Sequence, residues 1–328
     1  MNKPPVTDRS VLTIATGKKI YVDMACNLAM SFLLWNEHSS IKFFLVTDSP
    51  QFISQKLKEK ISVVQVLPGE LGDGFSSKLQ MGQFAYTKQT LFIDADCLIY
   101  GDLNPVFDEF NGHDVSVIGY KRYTGQEIGF CSDVALVIAN TGIKYFPLLC
   151  GSVYYFEKGE IASKIFDYAK SLLKSYNKIG LVPLRGKENE EPLVAISMAK
   201  FNQVPVTDTG HIKADRMFYE FLDTNVIAGE ARLWNDQKIP VPEYSTLKLA
   251  IPVIVHFNDS YAETFEYESE AIRLRKVFLE NRSIKAANFY AFLTAVMPGK
   301  LNKTAKNIFR PLYHAVFGNR NVMPSKRI

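Results

Sequence analysis

Along the first part of the chain, short apolar runs alternate with segments in which apolar and polar residues are mixed. Apolar runs predict strands at residues 11–16, 41–47 and 61–67, and helices are expected between them at residues 22–35 and 51–60. Strands that alternate with helices are typical of a parallel sheet covered by helices on both faces. The pattern therefore predicts an α/β fold, and folds of this kind bind their ligands at the carboxyl ends of the strands.

The next strand ends in two acidic residues. Ser77-x-x-Gln80 has the form of a capping box and predicts a helix that continues to about Tyr86. An almost purely apolar strand follows at residues 90–94 and resembles a central strand until it reaches Asp94-Ala95-Asp96. Further strands are expected at residues 115–119, 152–156 and 252–257, and further helices at residues 161–172 and 192–201.

Composition places the chain among globular proteins, since 47% of its 328 residues are hydrophobic and 22% are charged. The cysteines form no Cys-x-x-Cys pair, which argues against a structural zinc site or a disulfide framework and fits a reducing compartment. No stretch approaches the roughly 18 uninterrupted apolar residues of a membrane span, and the first ten residues lack the pattern of a signal peptide. We expect a cytoplasmic protein, either soluble or peripheral on the cytoplasmic face of a membrane.

Charge divides the chain at about residue 280. Nine of the 38 basic residues and none of the 34 acidic residues fall in residues 281–328, so this segment carries +9 and residues 1–280 carry −5. We therefore expect a domain over residues 1–280 and a basic extension over residues 281–328. The nine basic residues are Arg282, Lys285, Lys300, Lys303, Lys306, Arg310, Arg320, Lys326 and Arg327.

The basic extension is predicted to be amphipathic and helical. Apolar residues recur at helical spacing before Pro298-Gly299, where a break is expected, and the basic residues from Lys300 to Arg310 recur at helical spacing after it. Such a segment favours an anionic membrane surface. The alternative is a helix that packs on its own domain with a solvated face. Nucleic acid is not an expected partner, because the rest of the chain is acidic and no recognised binding motif is present.

Asp94-Ala95-Asp96 is the most informative triplet. Residues i and i+2 of an extended chain project to the same side, so Asp94 and Asp96 are predicted to hold two carboxylates close together. Two like charges resist ionising together unless a cation lies between them. Carboxylate oxygens suit Mg²⁺ or Mn²⁺, which could neutralise nucleotide phosphates. The alternative is a pair of acids that caps a solvated strand end.

The run from Ser77 to Asp108 resembles the glycogenin-like retaining glycosyltransferases, family 8 of the GT-A fold. In that family Lys-Leu or Arg-Leu opens a helix, an apolar strand ends in Asp-Ala-Asp, and Gly-Asp-Leu follows, as Lys78-Leu79, Asp94-Ala95-Asp96 and Gly101-Asp102-Leu103 do here. The resemblance extends more loosely from residue 9 to about residue 270. It implies a GT-A fold, in which a Rossmann-like, mostly parallel central sheet is flanked by helices, with the C-terminal helical basic extension outside it.

The resemblance also implies a metal site and a nucleotide site. His256, at the end of the strand predicted at residues 252–257, would join Asp94 and Asp96 as a metal ligand, and its nitrogen would favour Mn²⁺ over Mg²⁺. The implied nucleotide-binding residues are Ala15, Thr16, Tyr21, Lys78 and Ala95. The alternatives are a solvated lysine at position 78 and core side chains for Tyr21 and His256.

Two further segments correspond to the sugar site of the family. Cys150-Gly151-Ser152 would line the sugar or acceptor pocket, although a small cysteine also suits simple packing. Glu190 and Glu191 are the implied catalytic residues, and one of them would orient acceptor hydroxyls or stabilise positive charge at the anomeric carbon. Acidic residues at the start of a helix also simply stabilise the helix, so that explanation remains open.

The chain departs from the family at two places. Gly17-Lys18-Lys19 stands where an acidic residue and a shorter spacing are usual. After His256 the family commonly continues with a glycine and Lys-Pro-Trp, whereas Asn258-Asp259 follows here. The contact with the donor diphosphate is therefore expected from another basic residue.

The expected function is a metal-dependent glycosyltransferase. It would transfer a hexose from a UDP-sugar donor to a hydroxyl of a glycan or glycolipid acceptor, with retention of configuration as the resemblance implies. Bacterial lipopolysaccharide glycosyltransferases of the same family are similar in having a basic, aromatic C-terminal end. The alternatives are a sugar-phosphate nucleotidyltransferase and a catalytically silent protein that binds nucleotide sugars.

Overall fold

The computed structural model describes residues 8–72, 74–127, 130–208, 210–236 and 248–318. The strands are β1 (Arg9–Ile14), β2 (Lys42–Thr47), β3 (Ser62–Gln65), β4 (Gln89–Ile93), β5 (Cys97–Ile99), β6 (Val115–Arg122), β7 (Phe146–Glu157), β8 (Lys213–Asp215), β9 (Phe221–Asn225), β10 (Glu230–Trp234), β11 (Leu249–Ala250) and β12 (Ile254–His256). The α-helices are α1 (Lys19–Asn36), α2 (Gln55–Lys58), α3 (Asn104–Glu109), α4 (Val134–Thr141), α5 (Glu160–Leu172), α6 (Tyr176–Ile179), α7 (Glu190–Lys200), α8 (Phe265–Leu274), α9 (Ile284–Ala291) and α10 (Met297–Phe317).

A six-stranded sheet in the order β3-β2-β1-β4-β7-β6 forms the centre of the molecule. The pairs among β3, β2, β1 and β4 are parallel, whereas β7 is antiparallel to both β4 and β6. The predicted α/β class with a mostly parallel central sheet is therefore confirmed. Because β4 lies between β1 and β7, its carboxyl end opens where the parallel and antiparallel parts of the sheet meet.

Helices cover both faces of this sheet. Along β1 and β4, Val11 and Leu91 pack in the core on one face, while Leu12 and Phe92 pack in the core on the other. The first of these cores includes residues of α1, and the second includes residues of α5 and α7. Burial of each such side chain stabilises the fold by about 1.5–3 kcal/mol, so β4 is held in place from both sides.

Two three-stranded sheets extend the molecule beyond the central one. Their orders are β5-β12-β8 and β11-β10-β9. In the first of them β12 runs antiparallel to β5 and parallel to β8, and His256 is in register with both Cys97 and Asp215. This pairing brings the late histidine to the end of β4, because β5 follows β4 after a short turn.

Two of the helices expected in the first 90 residues take a different form. Residues 51–60 contain a 3₁₀ turn at Pro50–Phe52 and the short α2, which begins where the Ser54 hydroxyl accepts a hydrogen bond from the Leu57 amide. The helix predicted from Ser77 is a 3₁₀ helix at Gly74–Phe84. The predicted capping box is wrong, because Ser77 lies inside this helix and its hydroxyl donates to the Gly74 carbonyl (2.9 Å).

From Ile284 to Phe317 the basic extension is one continuous helix. A π-helical segment at Phe292–Val296 joins α9 to α10, so the predicted break at Pro298-Gly299 is wrong. Pro298 follows the π-helical segment within one residue, and Gly299 leaves no room for a Cβ beside Phe265. Arg320, Lys326 and Arg327 lie outside the described residues.

The extension divides into a packed half and an exposed half. Ala287, Ala291 and Ala295 are buried, whereas no residue of α10 is buried. The expected domain boundary at residue 280 stays a prediction. Within the described residues, no helix is long and apolar enough to cross a membrane.

Candidate functional site

The turn between β4 and β5 carries the two acidic residues. The Asp94 amide donates to the Ser152 carbonyl (2.9 Å), and the Cys97 amide donates to the Asp94 carbonyl (3.0 Å). The second of these hydrogen bonds closes a turn, so the expected extended geometry is wrong here. The side chains bind different partners as a result: the Asp94 carboxylate lies 2.7 Å from Lys78 Nζ, and the Asp96 carboxylate lies 3.2 Å from His256 Nε2.

Asp96 and His256 form the part of this region that suits a metal ion. Both residues are buried, and their facing ligand atoms are separated by 3.2 Å. Neighbouring ligands about 2.1 Å from one octahedral ion lie about 3 Å apart, so the pair fits a single ion, and a carboxylate with an imidazole suits Mn²⁺.

Asp94 does not share this arrangement. The described residues contain two groups that could hold a metal, Asp96–Cys97–His256 and Cys150–Asp215–His256, and Asp94 belongs to neither. The assignment of Asp94 as a third ligand therefore stays a prediction.

Lys78 lies among carboxylates. Its ammonium group is 2.7 Å from Asp94 and 3.1 Å from Glu190, and it is 3.4 Å from the Gly151 carbonyl. Burial alone would lower the pKa of Lys78, but the neighbouring carboxylates, led by Asp94, outweigh burial and hold that pKa well above its ordinary value. Lys78 is therefore a fixed positive charge beside the end of β4.

Glu190 and Glu191 begin α7, and the Asn189 side chain caps this helix by accepting a hydrogen bond from the Glu191 amide (3.1 Å). Glu190 is 1% exposed, and its burial raises its pKa to about 7 even though Lys78 opposes the shift. Burial also raises the pKa of Glu191, whose carboxylate accepts a hydrogen bond from the Gly151 amide (2.7 Å). The first turn of α7 is thereby attached to β7.

Cys150, Gly151 and Ser152 lie on β7 beside this acidic pair. A Cβ on Gly151 would overlap the Tyr154 hydroxyl and would lie 2.5 Å from the Glu191 carboxylate, so a larger residue at that position would have to displace these side chains. Burial raises the pKa of the Cys150 thiol, and its sulfur lies 3.2 Å from both oxygens of Asp215. The proposed pocket residues therefore contact both Glu191 and the strand β8.

The sequence reasoning missed Lys213 and Asp215. Lys213 Nζ lies 2.9 Å from Asp215 Oδ2 and donates to Ser152 Oγ (3.0 Å), and Asp215 Oδ1 lies 2.5 Å from His256 Nδ1. Lys213 and His256 hold the pKa of Asp215 well below its ordinary value against the effect of burial. Residues i and i+2 of a strand lie on one side of it, so the spacing of Lys213 and Asp215 is the one local signal that these two side chains are neighbours. Because β8 has only three residues, this spacing alone does not predict a strand.

The proposed nucleotide residues near β1 lie at the carboxyl end of that strand. The Ala15 amide donates to the Val46 carbonyl (2.9 Å), and the Gly17 amide donates to the Asp48 carboxylate (2.9 Å). Tyr21 lies in the first turn of α1 and is half-buried against the core. Because β1 and β4 are parallel neighbours, this segment and Asp94 emerge at the same edge of the sheet.

The segment after His256 contacts the loop that precedes α7. Asp259 and Arg185 form an ion pair of 2.8 Å, and both have positive φ angles, of 54° and 55°. Such backbone conformations are uncommon for residues other than glycine. The ion pair connects the end of β12 to the loop that leads to Glu190, so two loops at this edge of the sheet are joined.

No protein-family model and no curated protein matches the sequence. Among solved structures, the galactosyltransferase LgtC in complex with donor and acceptor sugar analogues is 12% identical, with 75% of this chain and 86% of LgtC covered at a TM-score of 0.46. The glycosyltransferase GlyE of Streptococcus pneumoniae is 15% identical, with 62% of this chain and 45% of GlyE covered at 0.41. The bifunctional glycosyltransferase WbbM is 13% identical, with 80% of this chain and 50% of WbbM covered at 0.48. These similar structures are glycosyltransferases, although at TM-scores below 0.5 the similarity does not assign an activity to this chain.

Proposed function

We propose that the protein is a metal-dependent glycosyltransferase, which transfers a hexose from a UDP-sugar to a hydroxyl of a glycan or glycolipid with retention of configuration. The observation that carries this proposal is the meeting of Asp96, His256 and the Lys78–Asp94 ion pair at the end of the central strand β4. In α/β folds this edge of the sheet is the usual place for a ligand. No comparable observation favours the nucleotidyltransferase or the silent protein.

We infer a role for each residue, with its contacts as support. A divalent ion, when bound, supplies positive charge that stabilises the departing diphosphate, and Asp96 and His256 would hold it, with Asp94 as the third ligand that the resemblance implies. Lys78 places a second positive charge beside Asp94. Fixed charges of this kind stabilise developing negative charge without reorganising at the moment of reaction.

The acidic pair and β7 would bind the sugars. The Glu191 carboxylate accepts a hydrogen bond from the Gly151 amide, so the pocket residues of β7 and the first turn of α7 would line the same side of the sugar site. With a pKa of about 7, Glu190 is available both as a hydrogen-bond donor and as an acceptor near neutral pH, which suits the orientation of a sugar hydroxyl.

Ligand-induced thermal stabilisation tests the donor and the metal together. We expect Tm to rise with UDP and one UDP-sugar in the presence of Mn²⁺, and the rise to vanish with a chelator, because a ligand that binds only the folded state stabilises it. The Asp96→Asn variant should lose the metal-dependent rise. Asp223→Asn, which changes an exposed carboxylate on β9, should keep it.

Each other outcome has a defined meaning. A metal-independent rise with UDP would refute the metal site while leaving a nucleotide site in place. The absence of a rise with any uridine ligand would refute the UDP-sugar donor. Once donor and acceptor are known, the anomeric configuration of the first-formed product, read by proton NMR, tests retention.

A further inference from the structure

One buried carboxylate behind the proposed metal site accepts hydrogen bonds from three strands. Asp215, whose side chain is 7% exposed, contacts His256 on β12, Lys213 on its own strand β8, and Cys150 on β7. A carboxylate has about four lone-pair sites for such bonds. Most of the acceptor sites of the Asp215 carboxylate are therefore occupied by hydrogen bonds from other strands or from its own strand.

His256 uses its two ring nitrogens for different neighbours. Nδ1 lies 2.5 Å from Asp215 Oδ1, and Nε2 lies 3.2 Å from Asp96 Oδ1. Ionised Asp215 can only accept a hydrogen bond, so the hydrogen between it and Nδ1 belongs to the ring. The lone pair of a neutral ring is then on Nε2, which faces Asp96.

Lys213 is bound inside one of the two possible metal-binding groups around His256. Cys150, Asp215 and His256 could themselves hold a metal, but the Lys213 ammonium is bound to Asp215 (2.9 Å) and to Ser152 Oγ (3.0 Å). Its positive charge already neutralises Asp215 in a buried place.

We propose that Asp215 is a positioning residue for the metal ligand His256, and that Lys213 holds Asp215 in the place that a second cation would otherwise take. This inference rests on the proposed function in that it takes the metal to lie between Asp96 and His256. A hydrogen bond from a metal-binding imidazole to a carboxylate fixes the orientation of the ring and increases its strength as a ligand, and its loss typically weakens metal binding 10- to 100-fold.

Titration with Mn²⁺, followed by the loss of the electron paramagnetic resonance signal of the free ion, tests the proposal without an activity assay. We expect Asp215→Asn to bind Mn²⁺ at least about 10-fold more weakly than the wild type. Glu270→Gln is the matched control, because Glu270 is also a buried carboxylate that accepts three hydrogen bonds, from Val226, Thr224 and Arg273. It should lose thermal stability and keep the wild-type affinity for Mn²⁺.

A double variant covers the case in which Asp215→Asn fails to fold with Lys213 left unpaired. Lys213→Met/Asp215→Leu removes one positive and one negative charge together with the acceptor for His256 Nδ1, so the net charge near the metal is unchanged and no buried charge is left without a partner. A weaker affinity in this variant would then report the lost orientation of His256 and not a change of net charge.

The outcomes distinguish a failure of the positioning role of Asp215 from a failure of the proposed metal site. Wild-type affinity for Mn²⁺ in the folded double variant would overturn the positioning role of Asp215. The absence of Mn²⁺ binding by the wild-type protein itself would instead overturn the proposed metal site, and the inference would fall with it.

Discussion

At the scale of single residues, the buried acid Glu190 has the most direct consequence for stability. Its pKa is raised from 4.5 to about 7, chiefly by burial. The folded protein therefore binds more protons than the unfolded chain between these two values. The stabilisation that comes from protonated Glu190 is fully present below about pH 4.5 and is lost as the pH rises through about 7.

Glu190→Gln should remove this dependence. Relative to the wild type, the free energy of unfolding of the variant should increase between about pH 5 and about pH 8, by an amount on the order of 1–3 kcal/mol, since each pKa unit corresponds to about 1.4 kcal/mol. Urea unfolding at the two pH values measures the change. Glu188→Gln alters an exposed residue two positions earlier and should follow the wild type, and an equal response of the two variants would contradict the argument.

Gly151 is a second residue whose role follows from the space around it. In Gly151→Ala the added methyl group would overlap the Tyr154 hydroxyl and the Glu191 carboxylate, and overpacking of this kind costs about 1–3 kcal/mol. We expect a lower Tm and a larger loss of donor binding, because the contact between β7 and Glu191 must open. Gly159→Ala is the matched control, since its Cβ would meet open space, and a Tm equal to that of this control would refute the steric argument.

At the scale of elements, the strands with long apolar runs were predictable, and most of the shortest strands were not. The apolar runs of β1, β2 and β4 are long enough to show a period, and β4 ends at Ile93, next to the predicted Asp94. By contrast, β8 has three residues and β11 has two, and neither was predicted, whereas the three residues of β12 lie within the strand predicted at residues 252–257. Strands of this length exist because a neighbouring strand pairs with them, and such pairing is invisible in local sequence.

The same limit explains what could be predicted of the site. Lys78, Glu190 and the pair of Asp96 and His256 were found through local motifs and the resemblance, and the structure brings them to one edge of the sheet. Asp215 contacts a partner 41 positions away, so only the register of β12 with β8 reveals its role. The turn at residues 94–96 was predicted to be extended chain. It is closed by a hydrogen bond between backbone atoms, and the types of side chain in the sequence do not reveal that bond.

At the scale of the whole molecule, α10 is a separate surface. Apolar side chains on one side of this helix are largely exposed, including Leu301 (63%), Ile308 (66%) and Leu312 (64%). Its basic residues lie on the opposite side by helical spacing. We propose that α10 lies on an anionic membrane surface, which would bring the site close to a glycolipid acceptor.

Cosedimentation with vesicles tests this surface. The protein should bind vesicles that contain anionic lipid, bind neutral vesicles weakly, and lose binding at high salt, where surface charges are screened. Lys303→Ala and Lys306→Ala should each weaken binding about fivefold, which corresponds to about 1 kcal/mol for each basic residue. Lys158→Ala, an exposed lysine after β7, should have no effect, and equal binding to neutral and anionic vesicles would refute the proposal.

The Lys213–Asp215 pair also limits which substitutions at these two positions are tolerated during evolution. Loss of either partner alone leaves a buried charge without its counterpart, which typically costs 3–5 kcal/mol, whereas loss of both together is much milder. Substitutions at contacting residues of this kind are strongly non-additive. The two positions should therefore covary, so that a homologue with an uncharged residue in place of Lys213 is expected to lack the acid at position 215 as well.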